Sequence, residues 1–274
     1  MSEVGTTMDA TVVQGEDTRL RWSGGPVAVW APVLLGVVFL GGWELAVRAF
    51  DIEPYVIPAP SAIAEQVVDN LDTIWSGAVV TGRNALIGLL LGAVFGVLGA
   101  LVASWSWVLD QMAAPLVAAL SVVPIVALAP VLYSMFGAAA ETARVIVAAL
   151  AVVIPVYLNT LRGLRQVLPV HRDLMRAYAA SPRRVATSVT LPTAVPYVFT
   201  GLRIAASLAV ISALVAEYFG GPIGGLGKSI TSSAASSNYP LAWAYVFGAI
   251  VLGLAFYVAT LAAESWFTRH RSTT

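Results

Sequence analysis

The stretch RGLRQVLPVHRDLMRAYAASPRRVATSVTLP, Arg162 to Pro192, is the longest charged interruption in an otherwise apolar chain. Its charge is almost all arginine (Arg162, Arg165, Arg172, Arg176, Arg183 and Arg184), and within the stretch only Asp173 opposes it. Leu174, Met175, Ala177 and Tyr178 recur at spacings that gather them on one side of a helix, with Arg172 and Arg176 roughly opposite. That pattern predicts a short amphipathic helix. Ser181 followed by Pro182 has the form of an N-cap and first-turn proline, so a second helix is expected to open there and to close at Leu191-Pro192. The interruption is therefore expected to be folded.

Composition defines its surroundings. Of 274 residues, 58% are hydrophobic and 11% charged, and the mean hydropathy is +0.83, far outside the range of a soluble domain of this length. The fold class is all-α: a polytopic membrane protein with six transmembrane helices over residues 26–267 and a helical cytosolic loop at 162–192. A formal net charge of zero gives no global basic bias that would suggest nucleic acid. The absence of cysteine removes disulfides, thiolate metal sites and cysteine nucleophiles. Residues 1–25 are polar, without the basic start and early apolar core of a cleaved signal, and read as a disordered cytosolic tail. Residues 268–274 read as a second cytosolic tail.

Pro26 to Phe50 is long enough for a first span, at about 1.5 Å per residue across a core about 30 Å thick. Asp51 to Ser61, with three prolines and two acids, suits an extended interfacial linker. Ala62 to Trp75 places Glu65, Asp69 and Asp72 at helical spacing and is expected to lie on the membrane surface. Thr81 to Ala103 is the second span, with Gly88, Gly92 and Gly96 on one stripe that lets a helix backbone approach closely. After a turn at Trp105 to Asp110, Ala113 to Phe136 is a third span, bent by Pro124 and Pro130. Ala143 to Leu161 is the fourth, carrying Pro155 and Asn159. Proline in a membrane helix is tolerated where freed carbonyls face protein or a water-lined cavity. Pro124, Pro130, Pro155 and Asn159 are thus candidates for a translocation path, beside the plainer reading of kinks that shape a bundle. Tyr197 to Phe219 is the fifth span, with Arg203 near its start and Glu217 near its end. Glu217 is costly enough in lipid to join the path candidates, or else it is an interfacial residue bonded to a neighbouring helix end. A Gly/Ser-rich segment, Gly220 to Pro240, precedes the sixth span, Leu241 to Phe267.

Arg19, Arg21, the loop arginines, Arg269 and Arg271 fall on one side of these spans, so the positive-inside rule makes both termini cytoplasmic. Arg48, Arg144 and Lys228 then lie outside or at that interface, and Arg83 is a mild exception. Enzymatic chemistry has no visible carrier. Gly227-Lys228-Ser229 resembles the end of a phosphate-binding loop, but Pro222 stands where its first glycine belongs. His171 and His270 sit in polar segments, which disfavours a histidine metal cluster or a Ser-His-Asp relay within the membrane. What remains is a transporter-like bundle with one ordered protrusion, suited to a groove on a soluble partner or to anionic lipid. A stand-alone secondary carrier or channel is the alternative class, with Arg203 and Glu217 a thin supply of coupling groups.

From Asp173 onward the loop resembles the coupling motif of bacterial ATP-binding-cassette importer permeases: Glu-Ala-Ala, three residues, Gly, nine residues, Ile-x-Leu-Pro. The glycine position falls on Ala179 and the closing element on Val189-Thr190-Leu191-Pro192. Asp173, Leu174, Met175 and Ala179 depart from the pattern in identity while its spacing is kept. Pro58-Ala59-Pro60-Ser61, Pro124 through Pro130, Pro155 through Thr160, Gly201 through Ala205 and Ala216 through Phe219 are similar to the nitrate, sulfonate and taurine permease group, which includes riboflavin and hydroxymethylpyrimidine importers. The resemblance spans the chain from about Trp43 and implies a type I importer fold. It implies a second permease copy, two separate ATP-binding-cassette subunits that use the ATP, an extracytoplasmic solute-binding protein, a bacterial plasma membrane, and no cofactor on this chain. It also implies that Arg172, Asp173, Leu174, Met175, Arg176, Ala177, Tyr178, Ala179, Ala180 and Ser181 form the ATPase dock.

Overall fold

The computed structural model describes residues 27–137, 139–221 and 224–269. The tail expected at 1–25, and that at 268–274 beyond Arg269, lie outside them. Among the described residues every regular element is helical. Helix α1 (Val27–Ala49) leads through the proline linker to α2 (Pro60–Asp69), and α3 (Leu71–Trp105) follows after Asn70. The surface helix expected over 62–75 is thus cut at Asn70, and its second half runs straight into the long span. The linker is pinned in place: Glu44 of α1 accepts from the Ser61 amide at 3.0 Å and its hydroxyl at 2.8 Å.

The third span is broken. Helix α4 (Trp107–Val122) stops, a short 3₁₀ turn covers Ile125–Leu128, and α5 (Ala129–Phe136) leaves at 81° to it. Pro124 precedes the turn, and Pro130 stands in the first turn of α5, where its missing N–H costs nothing. The expected bends at Pro124 and Pro130 are therefore one break. Among the described residues five helices are long and apolar enough to cross a membrane, and the bent pair makes six if counted as one span.

Helix α6 (Thr142–Arg165) leads into α7 (Pro169–Ala177). Then α8 (Pro182–Val185), a π turn (Ala186–Thr190) and α9 (Leu191–Phe219) follow without interruption. The closure expected at Leu191-Pro192 does not occur. Pro192 has no N–H for the Ser188 carbonyl one α turn back, and the chain answers with wider π bonds, Leu191 N–H donating to Ala186. Helices α10 (Leu226–Ala235) and α11 (Tyr239–Arg269) complete the chain, so part of the Gly/Ser-rich segment is helical.

The core is the triple contact of α3, α6 and α9. A Cβ on Gly88 would meet Ala148, one on Gly92 would meet Val152 and one on Gly96 would meet Val156. Both numbers rise by four at each step, so α3 and α6 run parallel in fixed register, touching backbone to backbone. On α6, Gly163 faces Tyr197 and Asn159 faces Gly201, so α9 is antiparallel to α6. Ala85, Ala148, Val152, Ala205, Ala209 and Ala213 fill the centre. Small side chains suit a bundle whose helices associate by close packing, since the solvent is as apolar as they are.

Candidate docking loop and buried charge cluster

Helix α7 is the outermost element at one end of the bundle, and none of its residues is buried. Leu168 is its N-cap and Pro169 opens its first turn. It ends where the Ala180 N–H reaches back to Met175 O at 3.0 Å and the Ala179 N–H to Arg176 O at 2.9 Å. Ala179 has φ +46°, the left-handed conformation of a helix C′ residue, which normally falls to glycine. The position where the resemblance expects glycine thus has a left-handed backbone, which this chain meets with alanine. Ser181 caps the next helix as expected, its hydroxyl accepting from the Arg184 N–H at 3.4 Å.

The expected docking face is only partly outward. Leu174 and Tyr178 are 53% and 77% exposed. Met175 turns back and lines the hollows beneath the helix beside Ser188. Arg176 and Asp173 pair at 3.1 Å in the open, a contact that contributes little in water. Arg172, Ala177 and Ala179 are exposed and Ala180 half-buried.

At the other end of α6, about 31 Å away for the twenty-one helical steps from Arg144 to Arg165, lies a charge pair with no solvent contact. Arg144 and Glu217 are each 0% exposed, and Arg144 Nη1 stands 3.5 Å from Glu217 Oε1. The Thr81 hydroxyl lies 3.0 Å from both carboxylate oxygens, and the Gly227 N–H donates to Oε2 at 2.8 Å. Thr81 in turn accepts from the Leu226 N–H at 2.9 Å. Tyr133 of α5 donates to Ala216 O at 3.3 Å, while Arg144 Nε donates to the Tyr133 hydroxyl at 3.4 Å. One carboxylate and one guanidinium thus tie α3, α5, α6, α9 and α10 together. Burial of either charge alone would be prohibitive, so the pairing and its hydrogen bonds are what permit it.

The glycines of 220–227 serve this cluster. Gly221 has φ +103°, and side chains at Gly221 and Gly225 would run into Arg144 and Glu217. Arg144, expected outside or at the interface, is instead in the core. Arg83, the mild exception to the charge bias, forms an ion pair with Glu141. Arg203 meets Glu264 of α11 at 3.6 Å. Sequence reasoning flagged Glu217 and missed Arg144. The antiparallel register of α6 and α9, once known, places 144 opposite 217.

Of the remaining path candidates, Pro130 stands in α5 next to Ala129, which packs with Ala216 beside Glu217, and the others are not gathered there. Pro124 is at the break, and Pro155 and Asn159 lie in the α6–α9 seam beside Gly201. Asn159 donates to its own helix at Pro155 O, 2.8 Å away.

A bundle of apolar helices that withdraws one charge pair from lipid and pushes a basic helix out beyond its end is a multi-pass membrane subunit of the transport type. Residues 88–272 match the family described as "Binding-protein-dependent transport system inner membrane component", and the chain belongs to that family. It is 30% identical to a probable ABC transporter permease protein of Haemophilus influenzae, over 82% of this chain and 91% of that one. It is 29% identical to a formylaminopyrimidine transport permease protein of Halalkalibacterium halodurans, over 85% and 93%. It is 28% identical to a putative aliphatic sulfonates transport permease protein of Escherichia coli, over 70% and 75%. A solved structure described as an amino acid ABC transporter with histidines shares the fold at a TM-score of 0.57 and 18% identity, covering 74% of this chain and 96% of that one.

Proposed function

We propose that this chain is the membrane-spanning subunit of an importer that moves a small solute by alternating access, driven by separate ATPase subunits that dock on α7. The observation that carries this reading is the exposed α7, presenting Leu174 and Tyr178 outward between the core helices α6 and α9. ATP binding closes the ATPase pair, α7 is carried with it, and the helices continuous with the loop reorient. Leu174 and Tyr178 enter the partner groove, while Arg172 and Arg176 make rim contacts.

The chain directions support the same arrangement. With the loop cytosolic, α6 and its parallel neighbour α3 run inward and α9 runs outward. Helix α11 runs parallel to α3, Gly248 facing Ile74 and Leu252 facing Gly82, so the far end of α11 returns to the cytosolic side. The start of α1 shares that side, and the Arg144–Glu217 end faces outward, toward a solute-binding protein. Two permease copies complete the path. The solute belongs to the range carried by the group, an anion such as a sulfonate or a vitamin-precursor-like molecule, and a thermal-shift screen of the cognate binding protein identifies it.

Tyr178→Asp places a charge in the docking groove. The tagged variant is expected in the membrane at the normal level without captured ATPase subunit, and an unchanged complex overturns the reading.

A further inference from the structure

A second polar site lies at the loop end, where five segments meet around a cavity of about 460 Å³ lined by Ser106, Asp110, Leu164, Arg165, Arg172 and Thr190 among others. Arg165 Nη2 of α6 stands 2.5 Å from Asp110 Oδ1 of α4, with the arginine half exposed and the aspartate 18% exposed. Each charge suits its own helix. Asp110 is in the first turn of α4, whose N-terminus Ser106 caps, and Arg165 is the last residue of α6. An acid near a helix N-terminus and a base at a helix C-terminus are both favoured by the helix dipoles, so the pair joins two helix ends of opposite sign. Its short charge-assisted contact is also directional.

Its position matters more than its strength. Helix α4 has no buried residue. It rests on the bundle through Ala113 and Val117, packed on a cluster of Ala100 and Ala103 of α3, Tyr157, Leu161 and Leu164 of α6 and Ala194 of α9, and at its far end the chain breaks at Pro124. Helix α4 is therefore a lightly held rod, clipped at one end to the residue from which the loop departs and hinged at the other. Three residues separate Arg165 from the start of α7, and Arg172 of α7 lines the same cavity.

We propose that Asp110 and Arg165 are a positioning pair that passes the displacement of α7 to α4 and hence to the break at Pro124. This rests on the docking function above, and it assigns a role to two residues outside the dock itself. Breaking the pair leaves α7 free to follow its partner while α4 stays behind.

The absence of cysteine allows spin labels at single introduced sites. Leu116 on α4 and Val170 on α7 are 65% and 64% exposed, and neither is in the proposed dock or pair. Leu116→Cys and Val170→Cys chains are labelled, assembled with thiol-blocked ATPase subunits, and compared nucleotide-free and trapped with ATP and vanadate. Both labels are expected to change spectrum on trapping in the otherwise unaltered chain. With Asp110→Asn or Arg165→Gln the change at 170 persists and that at 116 is lost, whereas Asp110→Glu retains both. Persistence at 116 in the Asn and Gln variants overturns the linkage. Loss at both sites overturns it too, because the pair would then be holding α7 itself. No change at 170 in the unaltered chain, with ATPase bound, refutes the docking function instead.

Discussion

The two ends of α6 handle arginine in opposite ways. At the loop end, Arg172, Arg176, Arg183 and Arg184 stand in solvent. At the other end Arg144 is wholly enclosed and faces Glu217 across 3.5 Å. In water an arginine costs the fold almost nothing and holds it together hardly at all, so the loop arginines are available to another molecule. Out of water the same side chain must be matched atom by atom, and its partners become immobile. Arg165 apart, which Asp110 holds, charge in this chain is thus left exposed at one end and used for fastening at the other.

The sharpest way to break that comparison is to remove one partner of the enclosed pair. Glu217→Leu or Arg144→Met is expected to destabilise the chain by about 3–5 kcal/mol, because a buried charge is left alone. The double variant should lose less than the two singles added together. The readout is thermal unfolding in detergent, with Arg176→Ala at the loop end as the matched change expected to leave the melting curve in place. Strict additivity of the double variant would show that the two charges do not act as a pair.

A smaller effect is expected where the fastened end is built on glycine. Gly92→Ala puts a methyl 2.5 Å from Ala149 O, and the resulting overpacking should cost about 1–3 kcal/mol. Gly42→Ala on α1, where nothing lies within 4 Å, should be neutral in the same melt. The smallest effect is at the loop. Ala179→Gly relieves a left-handed alanine and should firm the end of α7 by about 0.5–1 kcal/mol. Amide exchange over Tyr178 to Ser181 reads it, and faster exchange would contradict the cap geometry.

Legibility differed between the two ends for the same physical reason. The amphipathic period of Leu174 to Tyr178 and the Ser181-Pro182 start signal are local, and α7 and the Ser181 cap appear where they point. The glycine stripe of α3 was equally readable, since a four-residue spacing of small residues has few other uses in an apolar span. The Arg144–Glu217 pair depends on two residues 73 apart meeting through the register of α6 and α9, which no local pattern carries. The continuation through Leu191-Pro192 was misread because proline near an element boundary usually stops a helix. Here a π turn absorbs it. The break at Pro124 read as a kink for a related reason, since composition shows where a backbone bond is missing but not the angle that results.

That π turn has a further consequence. Between Ala186 and Thr190 the helix carries one residue more than an α-helix of the same rise, and the wider turn takes that residue up with little change in the phase of the α segments on either side. The loop side and the membrane side of this single rod therefore stay aligned although their count differs by one amino acid. Deleting Ser188 would return the segment to α geometry with Arg183 and Arg184 on nearly the same side of the axis, and with α9 and its buried contacts left where they are. The rod holds a spare link that can be taken out without turning what either end grips.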